Sequence, residues 1–247
     1  MSQAVNAQLR SAQDIIRDAR VNQAPNGICY TTSGEIMLPR DDLERIIGAV
    51  PRSIAAALDR KAFYFVPITI GDGDKTMVAE RFEGQPPEGA LCHRNIDSGN
   101  SQCVFISTRL LEERFAIAFE FYINVGHAFV EKAGISPEFA ELAWAQASSN
   151  VRGETSLDAH EFRKQAQSPG MGHVDEKSKT EYLGAAFSDA IAIYMLALCL
   201  DVDYYELRER DYALLAPSAL AARLKKIAEL FPPNPGFQFN IFYKRRS

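Results

Sequence analysis

Residues 102–132, QCVFISTRLLEERFAIAFEFYINVGHAFVEK, mark where the chain changes character. The first seven, QCVFIST, are rich in β-branched and aromatic residues and read as a strand. From 109 to 133 the apolar residues recur at helical spacing, and Gly134 closes the run. Glu120, Asn124, His127 and Glu131 fall within an arc of about 60° on this helix, and Glu113 shares it. The remaining positions, from Phe115 to Val130, are almost all apolar. The polar stripe must therefore meet water or a polar cavity.

Upstream, the chain mixes helix and strand signals. Residues 3–20 read as an amphipathic helix with Leu9, Ile15, Ile16 and Ala19 on its apolar side. ICYTTSGEIML (28–38) places two short apolar runs around Ser33-Gly34, a hairpin signal. Helical stretches lie on both sides of Pro51, which either starts the second or kinks a single helix. FYFVPITI (63–70) is the strongest strand signal, and a hairpin through GDGD (71–74) to TMVAERF follows. Pro67 argues for an edge or bulged position. Residues 83–101 read as a loop.

Downstream, helices dominate. Ser136 is a cap and Pro137 a first helical residue, opening a helix to about 148. Residues 149–179 turn polar, with one short helix predicted over 156–167, and form a lid candidate. EYLGAAFSDAIAIYMLALCL (181–200), YYELRERDYALL (204–215) and PSALAARLKKIAELF (217–231) read as helices, and GFQFNIFYK (236–244) as a last strand. The expected fold class is α+β, a single domain over 1–247. A small antiparallel sheet, mainly from 1–108, packs on a mainly helical part, 109–247.

The chain has 247 residues, 47% hydrophobic and 24% charged, which is enough to bury a sizeable core. A formal net charge of -5 disfavours nucleic acid as a partner. No apolar run reaches the ~20 residues that cross a bilayer, and the N-terminus does not read as a secretory signal, so neither membrane nor export is expected. Cys29, Cys92, Cys103 and Cys199 contain no CxxC pair and are expected as reduced thiols in a cytoplasmic protein. Cys92 and Cys103 could face each other across a hairpin.

Two readings of the stripe stay open. In one it is the thin solvent face of a buried helix. In the other it lines a candidate pocket of Glu120, Asn124, His127, Glu131 and Asp189. His127 and Glu131, four apart, share a helix face and can point at one ion, so zinc or another divalent metal is a possible cofactor. A histidine among carboxylates also suits acid–base work. Asp189 is the only charged residue between Glu181 and Asp201, and a carboxylate in so apolar a helix needs a partner. That partner is His127 across two packed helices, or an arginine or backbone group in a structural role. Ala185, Ala186, Ser188 and Ala192 are small enough to let a neighbouring helix approach.

A strand, VFIST, then a helix with a Gly-His pair, then a later helix with one acidic residue, resembles a zincin metallopeptidase over about residues 102–196. In that family the helix carries H-E-x-x-H and a downstream acidic residue or His completes the zinc site. Ile123-Asn124-Val125-Gly126-His127 occupies the motif register here, and Asp189 the third-ligand position. The motif is degenerate: Ile123 stands for the first His and Asn124 for the catalytic Glu. The resemblance implies a zincin-like fold without peptidase chemistry, a pseudoenzyme binding a protein or small-molecule ligand. The alternative is a metal-dependent hydrolase rebuilt on His127, Glu131 or Glu120, and Asp189.

Other constellations carry less. His160-Glu161 and His173 lie in the polar 149–179 stretch, where closure could bring them to His127. Asp72 and Asp74 sit in a turn that lacks the calcium-loop pattern. Cys92-His93, adjacent in sequence, is not in itself a nucleophile–base pair. Serine-hydrolase, Rossmann and P-loop signatures are missing.

Overall fold

The structure is a computed structural model that describes residues 9–72, 75–168, 174–200 and 212–241. It is a mixed α and β fold that divides into two compact units, residues 1–124 and 125–247.

In the first unit, Pro67 separates two strands that join different sheets. β4 (Lys61–Val66) enters a five-stranded sheet and β5 (Ile68–Asp72) a four-stranded one. A proline has no N–H to give to a ladder, so it suits the corner between sheets. β5 pairs antiparallel with β6 (Lys75–Ala79) as expected, Asp72 opposite Lys75, and residues 73–74 of the predicted turn lie outside the described residues. β1 (Leu9–Ser11) and β7 (Ala90–Leu91) complete an antiparallel sheet in the order β1-β6-β5-β7. The amphipathic run predicted as one helix over 3–20 is therefore strand at 9–11. Helix α1 (Ala12–Asp18) begins only after Ser11, whose hydroxyl accepts from the Asp14 N–H as a cap.

The five-stranded sheet holds β2 (Asn22–Gln23), β3 (Cys29–Thr32), β4, β9 (Ser101–Ser107) and β8 (His93–Ser98) in that spatial order, β2-β3-β4-β9-β8. β3, β4 and β9 run parallel, which corrects the expected all-antiparallel sheet. Parallel neighbours need a crossover, and α2 (Arg40–Gly48) and α3 (Arg52–Ala55) supply the one between β3 and β4. So no hairpin forms at Ser33-Gly34. Gly34 instead has φ +76° and lies against the Glu80 backbone, where a side chain would not fit. Pro51 starts α3 rather than kinking one long helix.

β4 is buried on both faces, which is why Phe63-Tyr64-Phe65-Val66 shows no polar alternation. Phe63 and Phe65 meet Phe121 of α5 (Arg114–Ala133), ring centroids 4.8 and 5.6 Å away. Tyr64 and Val66 pack with Ala12 and Ile15 of α1. Residues 108–111 form a separate turn, α4 (Thr108–Leu111), ended by Glu112 at φ +58°, so α5 starts five residues later than predicted. The stretch expected as loop holds β7 and β8. The β8–β9 hairpin turns through Gly99-Asn100, with Gly99 at φ +61°. Cys103 pairs in register with Ile96, and Cys92 and Cys103 are free thiols.

The second unit is helical: α6 (Pro137–Ser148), α7 (Leu157–Ala166), α8 (Glu176–Cys199) and α9 (Pro217–Leu230). Ser136 caps α6 as predicted, and Gly134 closes α5 at φ +77°. Phe129, Phe139, Phe187 and Phe231 form an aromatic cluster, and Trp144 meets Tyr182 edge-on. Among the described residues α8 alone is long and apolar enough to cross a bilayer, and most of it is buried. α8 begins five residues before the predicted start, which shortens the polar lid candidate; residues 169–173, with His173, lie outside the described residues. So do residues 201–211 of the predicted 204–215 helix, and 212–215 are not helical. Residues 236–241 of the predicted last strand pair with no strand among the described residues, and 242–244 lie outside them.

Candidate functional site

The α5 stripe is not uniform. Glu120 and Asn124 belong to the first unit. Glu120 keeps only 19% of its side chain exposed, and its Oε1 lies 2.5 Å from Nδ1 of His93 on β8. The Asn124 amide, one turn on, donates to the same Oε1 at 3.2 Å and to the Glu120 carbonyl at 2.9 Å. The bond to Glu120 raises the His93 pKa above its ordinary value, against a smaller opposing effect of burial. Cys92 stands just before the strand. Burial first, then the Glu120 charge, pushes its thiol pKa up, so it is held as S–H. The Cys92-His93 dipeptide is therefore no thiolate nucleophile with its base. The constellation is His93–Glu120–Asn124.

His127 and Glu131 belong to the second unit and stand exposed on α5. Gly126 beside His127 is buried against α8: a Cβ there would sit 2.7 Å from the Ser188 carbonyl oxygen. The small residues of α8 thus do admit a close helix approach, at Ser188. Asp189, the next residue, is partly buried, and its Oδ2 accepts the Thr155 hydroxyl at 2.8 Å. Burial pushes its pKa up to about 6, against the bonds from Ser156 and Thr155 and the positive charge of Arg223. Asp189 therefore has hydroxyl partners from the segment before α7. Among the described residues no group of three His, Cys, Asp or Glu side chains is placed to hold a metal ion, and His127, Glu131 and Asp189 are not brought together as one.

The sequence reading missed a buried ionic network in this unit. Glu154 and Arg223 are both fully buried. Arg223 Nη1 donates to Glu154 Oε2 at 3.0 Å, Nη2 to the Tyr182 hydroxyl at 2.9 Å, and Nε to Gln146 at 2.8 Å. Arg163 and the Tyr182 hydroxyl each donate to Glu154 Oε1 at 3.0 Å. Every member is bonded, and α6, α7, α8 and α9 each contribute one, so the network orders the helices. Arg223 had a readable signal: it lies on the same α9 face as Leu220, Leu224 and Ile227. Glu154 had none. His160 sits on α7, stacked at 6.0 Å on Tyr212, and Glu161 pairs with Lys164.

A shallow cleft of about 340 Å³ in the first unit is lined by Arg10, Asp18, Arg20 and Thr31 among others, and shares no residue with His93–Glu120–Asn124. Arg10 there is already paired with Asp18 and Glu80.

No family model matches the chain, and no curated protein does.

Proposed function

We propose that the chain is a cytoplasmic, non-peptidase protein of zincin-like fold that binds a small molecule or a protein partner. One observation supports the non-peptidase part of this reading. At the position of the catalytic base in the H-E-x-x-H register stands Asn124, whose amide is committed to Glu120. An amide so held takes no proton from a zinc-bound water. Ile123, at the position of the first zinc ligand, has no donor atom.

The test is the metal content of the purified wild type and His127→Ala, with casein cleavage measured under added zinc. The expected result is no stoichiometric metal in either protein and no cleavage. Near-stoichiometric zinc, iron or manganese that disappears in the variant overturns the reading in favour of a metal-dependent hydrolase.

A further inference from the structure

We propose that His93, Glu120 and Asn124 form a proton-transfer site that hydrolyses activated carboxylic esters, beyond the binding role and independent of any relation to peptidases. The argument is geometric. Glu120 Oε1, 2.5 Å from Nδ1, takes the Nδ1–H of the imidazole, which leaves the lone pair of the neutral ring on Nε2. The His93 side chain is 42% exposed, and no described residue bonds Nε2. The basic nitrogen is therefore left without a described partner on a partly exposed ring, while the opposite edge is fixed.

Glu120 is itself fixed. Asn124 lies one helical turn along α5, and its amide bonds both the carboxylate and the carbonyl of Glu120. The carboxylate thus sits on a rigid helix, and the imidazole on a strand hydrogen-bonded to β9 over six residue pairs. A base oriented from behind by a carboxylate, itself oriented by a third group, is the arrangement that general-base chemistry needs. His93 is the catalytic residue; Glu120 and Asn124 are positioning residues. Among the described residues the titratable group bearing on the ring is Glu120 from α5, and the same carboxylate bears on Cys92 at the head of the strand.

The step balances without a further reactant. Nε2 takes a proton from water as the water oxygen bonds to the acyl carbon. The tetrahedral adduct expels the alkoxide or phenoxide, and the imidazolium releases its proton to leaving group or solvent. Acid and alcohol are the products, and the ring returns to its starting state.

The full chain is assayed with p-nitrophenyl acetate between pH 5 and 9, beside an NMR titration of the His93 ring. Wild type, His93→Gln, Glu120→Gln and Cys92→Ser are compared. The wild-type rate is expected to rise with pH to a plateau, with a midpoint equal to the His93 pKa read by NMR and above 6.5. His93→Gln loses at least tenfold. Glu120→Gln moves the NMR and kinetic midpoints down together, which a merely structural role would not do. Cys92→Ser keeps rate and profile. The proposal is overturned by His93→Gln as fast as wild type with its melting temperature unchanged, or by Glu120→Gln leaving the midpoint in place. A rate lost in Cys92→Ser assigns the reaction to the thiol and also overturns it.

Discussion

The backbone of Gly126 lies so close to Ser188 that a Cβ at 126 would come within 2.7 Å of the Ser188 carbonyl oxygen and 2.9 Å of its hydroxyl. Carbonyl oxygen on a helix cannot rotate away, so a methyl group must push α5 and α8 apart. Gly126→Ala should destabilise by about 1–3 kcal/mol, the range for overpacked cores. Gly184, also helical, gives the contrast. Its Cβ would meet only Ile135 and Val130 side chains, at 3.9 and 4.0 Å. Gly184→Ala should therefore stabilise by roughly 0.5–1 kcal/mol, through lost backbone freedom in the unfolded chain. Thermal unfolding of the two variants checks both signs. Equal shifts in the same direction would show that the close approach at 126 does not matter.

The second prediction concerns Glu154. Its carboxylate is the only counter-charge bonded to the buried Arg223 among the described residues, and Arg163 shares it. Glu154→Gln leaves the fully buried Arg223 and the mostly buried Arg163 facing a neutral amide. The expected loss is about 3–5 kcal/mol. Arg223→Met should cost less, because Glu154 keeps Arg163 and the Tyr182 hydroxyl. Denaturant titration ranks the two. If Arg223→Met proved the worse variant, Glu154 would not be the hub.

Local signals reached some of this architecture and not the rest, for physical reasons. Caps and turns are set by neighbours in sequence, so Ser136, Gly134 and the β5–β6 hairpin were legible. Strand direction is not local. Nothing in Cys29–Thr32 or Ser101–Ser107 says that both run parallel to β4. The β8 strand was readable in principle. Ser98-Gly99-Asn100-Ser101 carries a two-residue hairpin turn, and reading it would have placed His93 on a strand beside β9. Helical spacing alone places Glu120 and Asn124 on one face of α5. His93, the partner of Glu120, comes from 27 residues earlier, a distance that periodicity does not span. The apolar surroundings of Asp189 announce a carboxylate in need of a partner, but Thr155 and Ser156 come from the irregular segment before α7. Serine and threonine hydroxyls are too common in polar stretches to announce such a role.

The third prediction follows from Asp189. Its pKa is raised from an ordinary 3.8 to about 6, with burial the largest cause. Below pH 3.8 the carboxyl is protonated folded and unfolded, and the folded state's preference for the neutral form contributes fully. Between 3.8 and 6 the unfolded chain releases the proton while the folded chain keeps it, so unfolding gains and stability falls. Above 6 the folded protein carries the buried charge and that contribution is lost. Asp189→Asn removes the titration and keeps an oxygen to accept the Thr155 hydroxyl. The variant should match wild type near pH 4 and exceed it at pH 8, by roughly 2 kcal/mol. Unfolding free energies of both proteins from pH 4 to 8 measure the difference. Parallel curves would mean that the Asp189 carboxylate ionises in the folded protein as easily as in the unfolded chain, and that the two hydroxyls and Arg223 offset its burial in full.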